Sequence, residues 1–190
     1  MCGITGAWSS REALDLQTIN ASRDVLQHRG PDDSGTWLSA DGHVALAHRR
    51  LSILDLSPSG HQPMISADGR CVIVFNGEIY NFLELRTALE KAGHRFTSQS
   101  DTEVLIAAYR QWGEDALSRL NGMFAFVMYD AGSQDTAPSL FMARDRAGKK
   151  PLYYTHQAGE FRFASELKAL TVQRNSILSL SALNDYLALG

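Results

Sequence analysis

Residues 71–81 read CVIVFNGEIYN, and this stretch decides more of the fold than any other part of the chain. Its first five residues are apolar and mostly β-branched or aromatic, which is typical of a strand buried in a sheet. An Asn-Gly pair after such a run is a strong signal for a hairpin turn. The pattern therefore predicts a buried strand over residues 71–75, with a turn at Asn76 and Gly77 as its simplest ending.

Seven further short runs rich in Val, Ile, Phe and Tyr also predict strands. They cover residues 3–8, 36–39, 44–48, 123–129, 140–143, 152–155 and 161–164. Helical spacing of apolar side chains marks three segments, within residues 16–26, 82–89 and 104–109, and recurs at 180–190. Because the helices are bunched between pairs of strands instead of alternating with them, the order favours an α+β domain with two sheets over a doubly wound parallel sheet.

The composition excludes several classes of protein. The 190 residues carry 18 Lys and Arg against 21 Asp and Glu, a formal charge of −3, so no electrostatic argument favours a nucleic-acid or anionic-membrane partner. The longest apolar run, at 123–129, is far shorter than the about 20 residues of a membrane helix. Two cysteines cannot form a disulfide framework, and the first residues lack the regions of a secretory signal. We therefore expect a cytoplasmic protein.

Cys2 is the first residue that points to chemistry. A small side chain after Met1 permits removal of the initiator methionine, which would leave cysteine at the start of the chain. An α-amine has a pKa of about 7.7–8.0 and a thiol one of about 8.5, so an N-terminal cysteine carries a nucleophile and a base on one residue. With Met1 attached, that nitrogen is an amide and the site is expected to be inactive. Cys71 lies in an apolar run and is expected in the core.

Three polar stretches accompany Cys2, and each has a structural explanation when taken alone. They are HRGPD at 28–32, AHRRLSILD at 47–55 and FNGEIYN at 75–81. Gly-Pro-Asp is a turn signal, Asn-Gly is a hairpin signal, and paired arginines are typical of a solvated face.

Together these stretches and Cys2 resemble, in content and order, the glutamine-hydrolysing domain of asparagine synthetases, which are class II glutamine amidotransferases with an N-terminal nucleophile. Further matching stretches lie at 100–101, 122–126, 143–146, 150–154 and 164–168, so the resemblance covers residues 2 to about 168. Glucosamine-6-phosphate synthase and the purine amidotransferase share the N-terminal cysteine and an Asn-Gly pair, but their arginine and turn motifs differ.

The resemblance implies a four-layer αββα N-terminal nucleophile hydrolase fold, with two antiparallel sheets between helices. It implies a glutaminase domain at residues 1–178, followed at 179–190 by the start of a linker or of a synthetase domain. L-glutamine is the implied substrate, and the fused or associated synthetase domain would use the ammonia to convert aspartate to asparagine. ATP and Mg are expected only in that second domain, with no cofactor in this one. No nucleic-acid or membrane partner is expected, and a homodimer is left open.

The resemblance also assigns the site residue by residue. Cys2 is the implied nucleophile, with Asn76 and Gly77 as the oxyanion hole. Arg50 matches the position that binds the α-carboxylate of glutamine, and Asp101, supported by Glu78, matches the position for its α-ammonium. Leu51, Ser52, Ile53 and Leu54 carry over as the segment that lines the pocket. Asp101 has a second interpretation as the N-cap of the following helix.

The remaining charged residues are interpreted as structural. Arg49 is expected to be a solvated neighbour of Arg50, and the stretch 144–150 is expected to be a turn with surface charge, because it lacks the earlier glycine and the Ser or Thr of a phosphate loop. The six histidines show no paired spacing suited to zinc, so no metal is predicted.

Three alternatives to asparagine synthesis are left open. The domain could serve an amidotransferase with a different carboxylate acceptor, in polysaccharide or secondary-metabolite synthesis. It could be a non-catalytic regulatory domain of the same fold, although the presence of Cys2 argues against this. An amidase of this fold that acts on other amides should lack the paired charges of Arg50 and Asp101.

Overall fold

The strands of this chain form two antiparallel sheets that pack face to face. The computed structural model describes residues 1–52, 60–172 and 179–189. Within them the strands are β1 (Gly3–Ser9), β2 (Asp33–Leu38), β3 (Val44–Arg50), β4 (Met64–Ile65), β5 (Cys71–Ile79), β6 (Gly122–Asp130), β7 (Ser139–Arg144), β8 (Tyr153–Gln157) and β9 (Glu160–Ala164). The first sheet has the order β2-β3-β1-β9-β8, and the second has the order β4-β5-β6-β7.

Helices cover the outer face of each sheet. The helices of the described residues are α1 (Leu16–Asp24), α2 (Phe82–Lys91), α3 (Asp101–Trp112), α4 (Ala116–Arg119), α5 (Leu167–Leu170) and α6 (Leu180–Leu189), with 3₁₀ turns at Gln27–Arg29 and Gly113–Asp115. Helices α1 and α5 contact the first sheet, and α2 and α3 share an apolar cluster with the second. The layers therefore run helix, sheet, sheet, helix, which is the αββα arrangement that the resemblance implies.

Strand β5 contributes side chains to the apolar clusters on both faces of the second sheet. Successive side chains of a strand point to opposite faces of the sheet. Val72 and Val74 pack between the two sheets, whereas Ile73 and Phe75 pack against the helices. Because both faces are covered, the strand is apolar throughout its first half. By the same alternation Asn76 belongs to the face between the sheets.

The apolar interior between the sheets is drawn from both of them. The buried residues of this cluster are Ile4, Leu46, Val72, Val74, Ala125, Val127 and Phe163. Burial of each large aliphatic or aromatic side chain stabilises the fold by about 1.5–3 kcal/mol. This interior fixes the two sheets against each other, and so fixes the distances between residues at their ends.

All eight predicted strands and the three predicted helices are present, most of them with longer bounds. The hairpin turn suggested at Asn76 and Gly77 is wrong, because β5 continues to Ile79 and pairs Gly77 with Phe124 of β6. A Cβ at residue 77 would collide with the carbonyl oxygen of Met123. The glycine therefore allows two strands to approach closely and does not serve a turn.

The segment predicted as a helix at 180–190 contains α6, and no side chain of α6 is buried. The assignment of residues 179–190 to a linker or a following domain stays a prediction. Within the described ranges, every helix is too short or too polar to cross a bilayer.

Candidate active site

The ends of β1, β3 and β5 meet around a cavity of about 470 Å³. Cys2 directly precedes β1, Arg50 is the last residue of β3, and β1 and β3 are antiparallel neighbours with Gly3 opposite Arg49. The start of one strand therefore lies beside the end of the other, and β5 faces both from the second sheet. The cavity is lined by these predicted site residues: Cys2, Arg50, Leu51, Asn76, Gly77, Glu78 and Asp101.

The Cys2 sulfur contacts the backbone of Leu51. The Leu51 N–H donates to Sγ at 3.5 Å, and Sγ lies 3.7 Å from the Leu51 carbonyl oxygen. Burial raises the pKa of the Cys2 thiol, while the Leu51 N–H, the terminal amine and the Arg50 guanidinium partly oppose that rise. A backbone donor on sulfur stabilises the thiolate more than the thiol. Burial outweighs these groups, so the cavity as a whole favours the neutral thiol, and the Leu51 N–H and the nearby positive charges reduce the cost of forming the thiolate.

Met1 precedes Cys2 and also lines the cavity. Burial lowers the pKa of the Met1 terminal amine, and the charges of Arg29 and Lys150 act in the same direction. The Met1 amine is therefore neutral at a lower pH than an amine in water.

The backbone of Cys2 is anchored by Arg29, which belongs to the conspicuous RGPD motif. Arg29 Nε donates to the Cys2 carbonyl oxygen at 3.0 Å, and Arg29 Nη1 pairs with Glu166 Oε1 at 2.9 Å. Nearby, the Ile4 N–H donates to Ser165 Oγ at 3.0 Å. Two motifs that are far apart in sequence therefore converge to hold the first residues of β1.

Asn76 carries a buried donor that is not used within the described residues. The side chain is 1% exposed, and its Nδ2 has no hydrogen-bond partner there. Leaving such a group without a partner costs about 1–3 kcal/mol. A donor of this kind, beside a nucleophile in one cavity, fits an oxyanion hole, where it would bind the oxygen that becomes negative during attack.

Arg50 brings a positive charge into the cavity wall. It is 8% exposed, and its guanidinium lies so close to Gly60 that a Cβ there would overlap it. A planar guanidinium can hold a carboxylate through two parallel hydrogen bonds. The geometry thus provides an anion-binding group within the same cavity as Cys2.

Asp101 and Glu78 bring negative charge to the same cavity. Burial raises the pKa of the Asp101 carboxyl, and the neighbouring charge of Glu78 adds to the rise, while the Ile79 N–H donates to Asp101 Oδ2 at 3.0 Å and opposes it. Neither carboxylate forms an ion pair with a side chain of the described residues. A carboxylate whose ionisation is made costly by burial and by a neighbouring negative charge favours binding of a cation.

Two details of the predicted site need correction. The N-cap of α3 is Ser100, whose side chain accepts from the Thr102 N–H, so Asp101 is the first helical residue and not the cap. Ser52 donates its N–H to Asp32 Oδ2 at 2.8 Å and is absent from the residues that line the cavity. The predicted pocket residues Ile53 and Leu54 lie outside the described residues.

The stretch 144–150 is not a turn with surface charge alone. Asp145 is buried, and its carboxylate accepts the N–H groups of Phe124, Lys149 and Lys150 at 2.9–3.2 Å. Burial works against ionisation of Asp145, but these donors outweigh it and lower the pKa. Lys150 is 7% exposed and lines the cavity. The sequence did not predict that Lys150 lines the cavity, because the direction of its side chain depends on the conformation of this loop.

Gln62 is a further cavity residue that the sequence did not reveal. It is buried, its Oε1 accepts the Phe75 N–H at 2.6 Å, and its Nε2 lies 3.5 Å from Thr102 Oγ1. It thereby links β5 to α3. In the sequence, Gln62 is distinguished only as a polar residue before Pro63, which does not predict its place in the cavity.

Arg49 is not a solvated neighbour of Arg50, as the sequence suggested. Its side chain is 11% exposed, and its Nη1 lies 3.9 Å from Asp24 Oδ1. Alternation along β3 places Arg49 and Arg50 on opposite faces of the first sheet. Only Arg50 therefore points toward the cavity.

Metal ligation has no candidate in the parts of the chain that the structure describes. No group of three or more His, Cys, Asp or Glu side chains lies close enough together to hold an ion there. His48 is fully buried, and its Nε2 lies 3.1 Å from the Phe75 carbonyl oxygen, so it packs as a core residue.

The chain is similar to curated proteins of known name. The chain is 42% identical over 174 residues to asparagine synthetase [glutamine-hydrolyzing] 3 of Bacillus subtilis, covering 90% of this chain and 27% of that protein. It is 42% identical over 193 residues to asparagine synthetase [glutamine-hydrolyzing] 1 of the same organism, covering 99% of this chain and 29% of that protein. The chain thus spans less than a third of the length of these curated relatives.

The fold is also found in a solved structure. Glutamine phosphoribosylpyrophosphate amidotransferase from B. subtilis matches with a TM-score of 0.75 at 24% identity, covering 90% of this chain and 43% of that one. The two chains share the fold, which in this chain is two packed antiparallel sheets between helices. A family model described as "Glutamine amidotransferase domain" matches residues 1–190. The chain therefore belongs to the glutamine amidotransferase domain family.

Proposed function

We propose that this domain hydrolyses free L-glutamine to glutamate and ammonia through a thioester on Cys2, after Met1 is removed. The observation that carries the proposal is the cavity itself. It combines the Cys2 thiol, the unused Nδ2 donor of Asn76, the cation of Arg50 and the anions of Asp101 and Glu78.

The chemistry follows from these groups. The Cys2 thiolate attacks the side-chain amide carbon of glutamine, and the α-amine of Cys2 takes up the thiol proton. Asn76 Nδ2 and the Gly77 N–H stabilise the oxygen that becomes negative. The α-amine then protonates the leaving nitrogen, so ammonia departs and a γ-glutamyl thioester remains. The same amine next activates a water molecule, which releases glutamate and restores the thiol.

The opposite charges in the cavity account for the choice of free glutamine over glutamine within a peptide. Free glutamine carries an α-carboxylate and an α-ammonium, whereas a peptide-bound residue carries neither. Arg50 supplies the partner for the first group, and Asp101 with Glu78 supplies the partner for the second. A cavity for an uncharged amide would gain nothing from this arrangement, which disfavours a general amidase.

We further propose that the ammonia passes to an ATP-dependent synthetase domain that converts aspartate to asparagine. The two relatives that carry the name asparagine synthetase support this acceptor. ATP and Mg would act in that second domain and not in this one. A different carboxylate acceptor is the alternative. A cytoplasmic location fits this role, and a homodimer stays open.

Glutamate release by the purified protein, with loss of Met1 verified by intact mass, tests the glutaminase proposal. Cys2→Ala should abolish release while the fold is retained, because no other described thiol lines the cavity. Cys71→Ala is the matched control, since Cys71 is buried in the core and should leave turnover in place. Substantial turnover by Cys2→Ala would remove the cysteine from the mechanism.

A further inference from the structure

Strand β5 is paired with a neighbouring strand along only part of one edge. Its other edge pairs with β6 over the whole length of the strand, whereas on this edge, within the described residues, β4 pairs with two residues. The part beyond β4, at residues 75–79, borders the cavity, and we call it the cavity edge. The Phe75 N–H points to this edge, because it donates to Gln62, which lies just before β4. Main-chain groups alternate between the edges of a strand, so the Gly77 N–H points there too.

The residue opposite Gly77 gives the same direction. Opposed residues of an antiparallel pair exchange both of their main-chain hydrogen bonds or neither. Phe124 lies opposite Gly77 but bonds to Asp145 instead: its N–H donates to Asp145 Oδ2 at 3.2 Å, and its carbonyl oxygen accepts the Asp145 N–H at 2.8 Å. The Gly77 N–H therefore points away from β6, on the side where Gly77 lines the cavity.

Two buried side chains hold the cavity edge at Phe75, two residues before Gly77. Gln62 Oε1 accepts the Phe75 N–H at 2.6 Å. The Phe75 carbonyl oxygen can only accept, so His48 Nε2 donates to it at 3.1 Å. Gln62 is 5% exposed and His48 is fully buried. These side chains bond the groups that the main chain of a longer β4 would otherwise bond.

Gln62 is itself held in one orientation. The Phe75 N–H can only donate, so the Gln62 atom beside it is the amide oxygen, and the amide nitrogen faces Thr102 Oγ1 of α3 at 3.5 Å. The Gln62 carbonyl oxygen packs so closely against Gly35 of β2 that a Cβ there would overlap it. Gln62 therefore contacts the first sheet, the second sheet and α3 at the wall of the cavity.

We propose that Gln62 is a positioning residue for the oxyanion hole. By holding Phe75, it keeps the cavity edge extended and sets the directions of the Gly77 N–H and of the Asn76 side chain. This rests on the proposed glutaminase function. Gln62 acts through β5 and not by contact with the reacting atoms. Because donors in an oxyanion hole act on the transition state, and a shift of about 1 Å can cost about 100-fold in rate, loss of this support lowers turnover more than substrate binding.

Steady-state glutamate release by the processed protein tests this role. Gln62→Met nearly keeps the length of the side chain but removes the acceptor, and it should lower kcat by about 10- to 100-fold while KM stays within about threefold. Gln62→Asn keeps the amide on a shorter side chain that falls short of Phe75, and it should act in the same direction if Gln62→Met does not fold. A rise in KM as large as the fall in kcat would contradict a positioning role.

Gln111→Met is the matched control. Gln111 also lies on a hydrogen bond of its side chain, with His94 Nε2 at 2.9 Å, but it is exposed on α3 and is absent from the residues that line the cavity. The same substitution there should leave kcat and KM in place. A fall in kcat in this control equal to that of Gln62→Met would show that the substitution acts through general destabilisation.

Alkylation of Cys2 by iodoacetamide separates positioning of the oxyanion hole from damage to the whole site. The sulfur displaces iodide from a saturated carbon, so no oxygen becomes negative and the oxyanion hole is not used. The Gln62 variants should therefore alkylate at about the wild-type rate although they release glutamate slowly. Equal losses of alkylation and of turnover would overturn the inference.

NMR of the backbone amides gives a readout that does not depend on turnover. Gln62→Met should speed hydrogen exchange of the Phe75 N–H by about 10-fold, because it removes the acceptor, and should shift the Gly77 amide resonance. Gln111→Met should do neither. An unchanged kcat, or a Gly77 resonance that does not move, would overturn the inference. If the wild type releases no glutamate, the glutaminase proposal fails, and the exchange and the Gly77 resonance still decide whether Gln62 holds the cavity edge.

Discussion

Individual residues in this cavity are placed at a cost to folding. Asn76 buries an unused amide donor, Asp101 buries a carboxylate beside Glu78, and Lys150 buries an ammonium. None of these arrangements stabilises the domain when taken alone. Their concentration around one thiol is what a site for a charged substrate requires, because a polar group left without a partner in the free domain can be paired by a bound ligand.

The role of Arg50 can be isolated by substitution. Arg50→Ala should raise KM for glutamine about 13- to 160-fold with a smaller effect on kcat, because charge-assisted hydrogen bonds contribute about 1.5–3 kcal/mol to binding. Steady-state kinetics of glutamate release measures the change. Arg49→Ala is the control, since Arg49 points to the other face of the sheet and should leave KM within about twofold. An unchanged KM in Arg50→Ala would contradict the carboxylate assignment.

At the scale of elements, the site depends on contacts that tie the ends of strands to loops. The 3₁₀ turn Gln27–Arg29 reaches the Cys2 carbonyl through Arg29, and Glu166, just before α5, holds that arginine. Glu166 also contacts His28 Nε2 at 3.0 Å and Lys168 Nζ at 3.2 Å. One carboxylate thereby joins the turn after α1 to the end of β9 and fixes where β1 begins.

Glu166→Gln should destabilise the domain in a pH-dependent way. Its burial is outweighed by the hydrogen bonds from Arg29, His28 and Lys168, which lower the Glu166 pKa from 4.5 to about 2. A carboxyl whose pKa is lowered on folding adds stability above pH 4.5, and this is lost as the pH falls toward 2. Because Glu166 is partly exposed to solvent, which weakens its interactions, we expect Glu166→Gln to lower the free energy of unfolding at pH 7 by about 1–2 kcal/mol. Urea unfolding measures this change.

The control for this prediction is Glu90→Gln. Glu90 forms an exposed pair with Arg86 one helical turn away, at 3.1 Å. Such pairs contribute about 0.3–0.5 kcal/mol. If Glu166→Gln costs no more than Glu90→Gln at pH 7, or costs as much at pH 2.5 as at pH 7, the Glu166 cluster does not anchor the start of β1 as described.

At the scale of the whole molecule, the packing of the two sheets explains why the strands could be predicted from the sequence. Apolar runs predicted the strands because both faces of the central strands are covered. The family motifs identified Cys2, Arg50, Asn76, Gly77 and Asp101, and the fold brings these five residues to one cavity. Their catalytic and binding roles stay predictions.

Sequence patterns failed where the answer depended on a distant segment. The Asn-Gly pair suggested a turn, but pairing of Gly77 with Phe124 keeps it in a strand. Lys150 resembled a surface charge, but Asp145 folds its loop toward the cavity. Arg49 resembled a solvated residue, but its face of the sheet is covered. For Gly77 and Arg49 a contact across many residues of sequence overrode the local pattern, and the loop of Lys150 is tied to a distant strand because the Phe124 N–H donates to Asp145.

The sandwich also makes the stability of the whole domain sensitive to mild acid. Burial lowers the pKa of His48 from 6.5 to about 4. The unfolded chain therefore binds a proton between these values that the folded chain does not, and stability falls as the pH drops from 6.5 toward 4. His48 alone should lower the unfolding free energy by about 2 kcal/mol between pH 7 and pH 5.

Chemical denaturation of the wild type and of His48→Gln at both pH values tests this effect. Between pH 7 and pH 5 the unfolding free energy of His48→Gln should fall by about 2 kcal/mol less than that of the wild type. This difference is expected whatever the stability of the variant at pH 7. His156→Gln is the control, because His156 is exposed on β8 and should leave the decline in place. An identical decline in wild type and His48→Gln would show that His48 is not the group responsible.

The central claim is that Cys2, freed from Met1, forms a covalent thioester with glutamine. Its most direct test is acid quenching of the processed protein during turnover, followed by mass spectrometry of the peptide that begins at Cys2. The account predicts a γ-glutamyl adduct on that cysteine, lost when glutamine is exhausted and absent in Cys2→Ala. Glutamate release from protein that carries no adduct on Cys2, or an equal rate from protein that retains Met1, would contradict it.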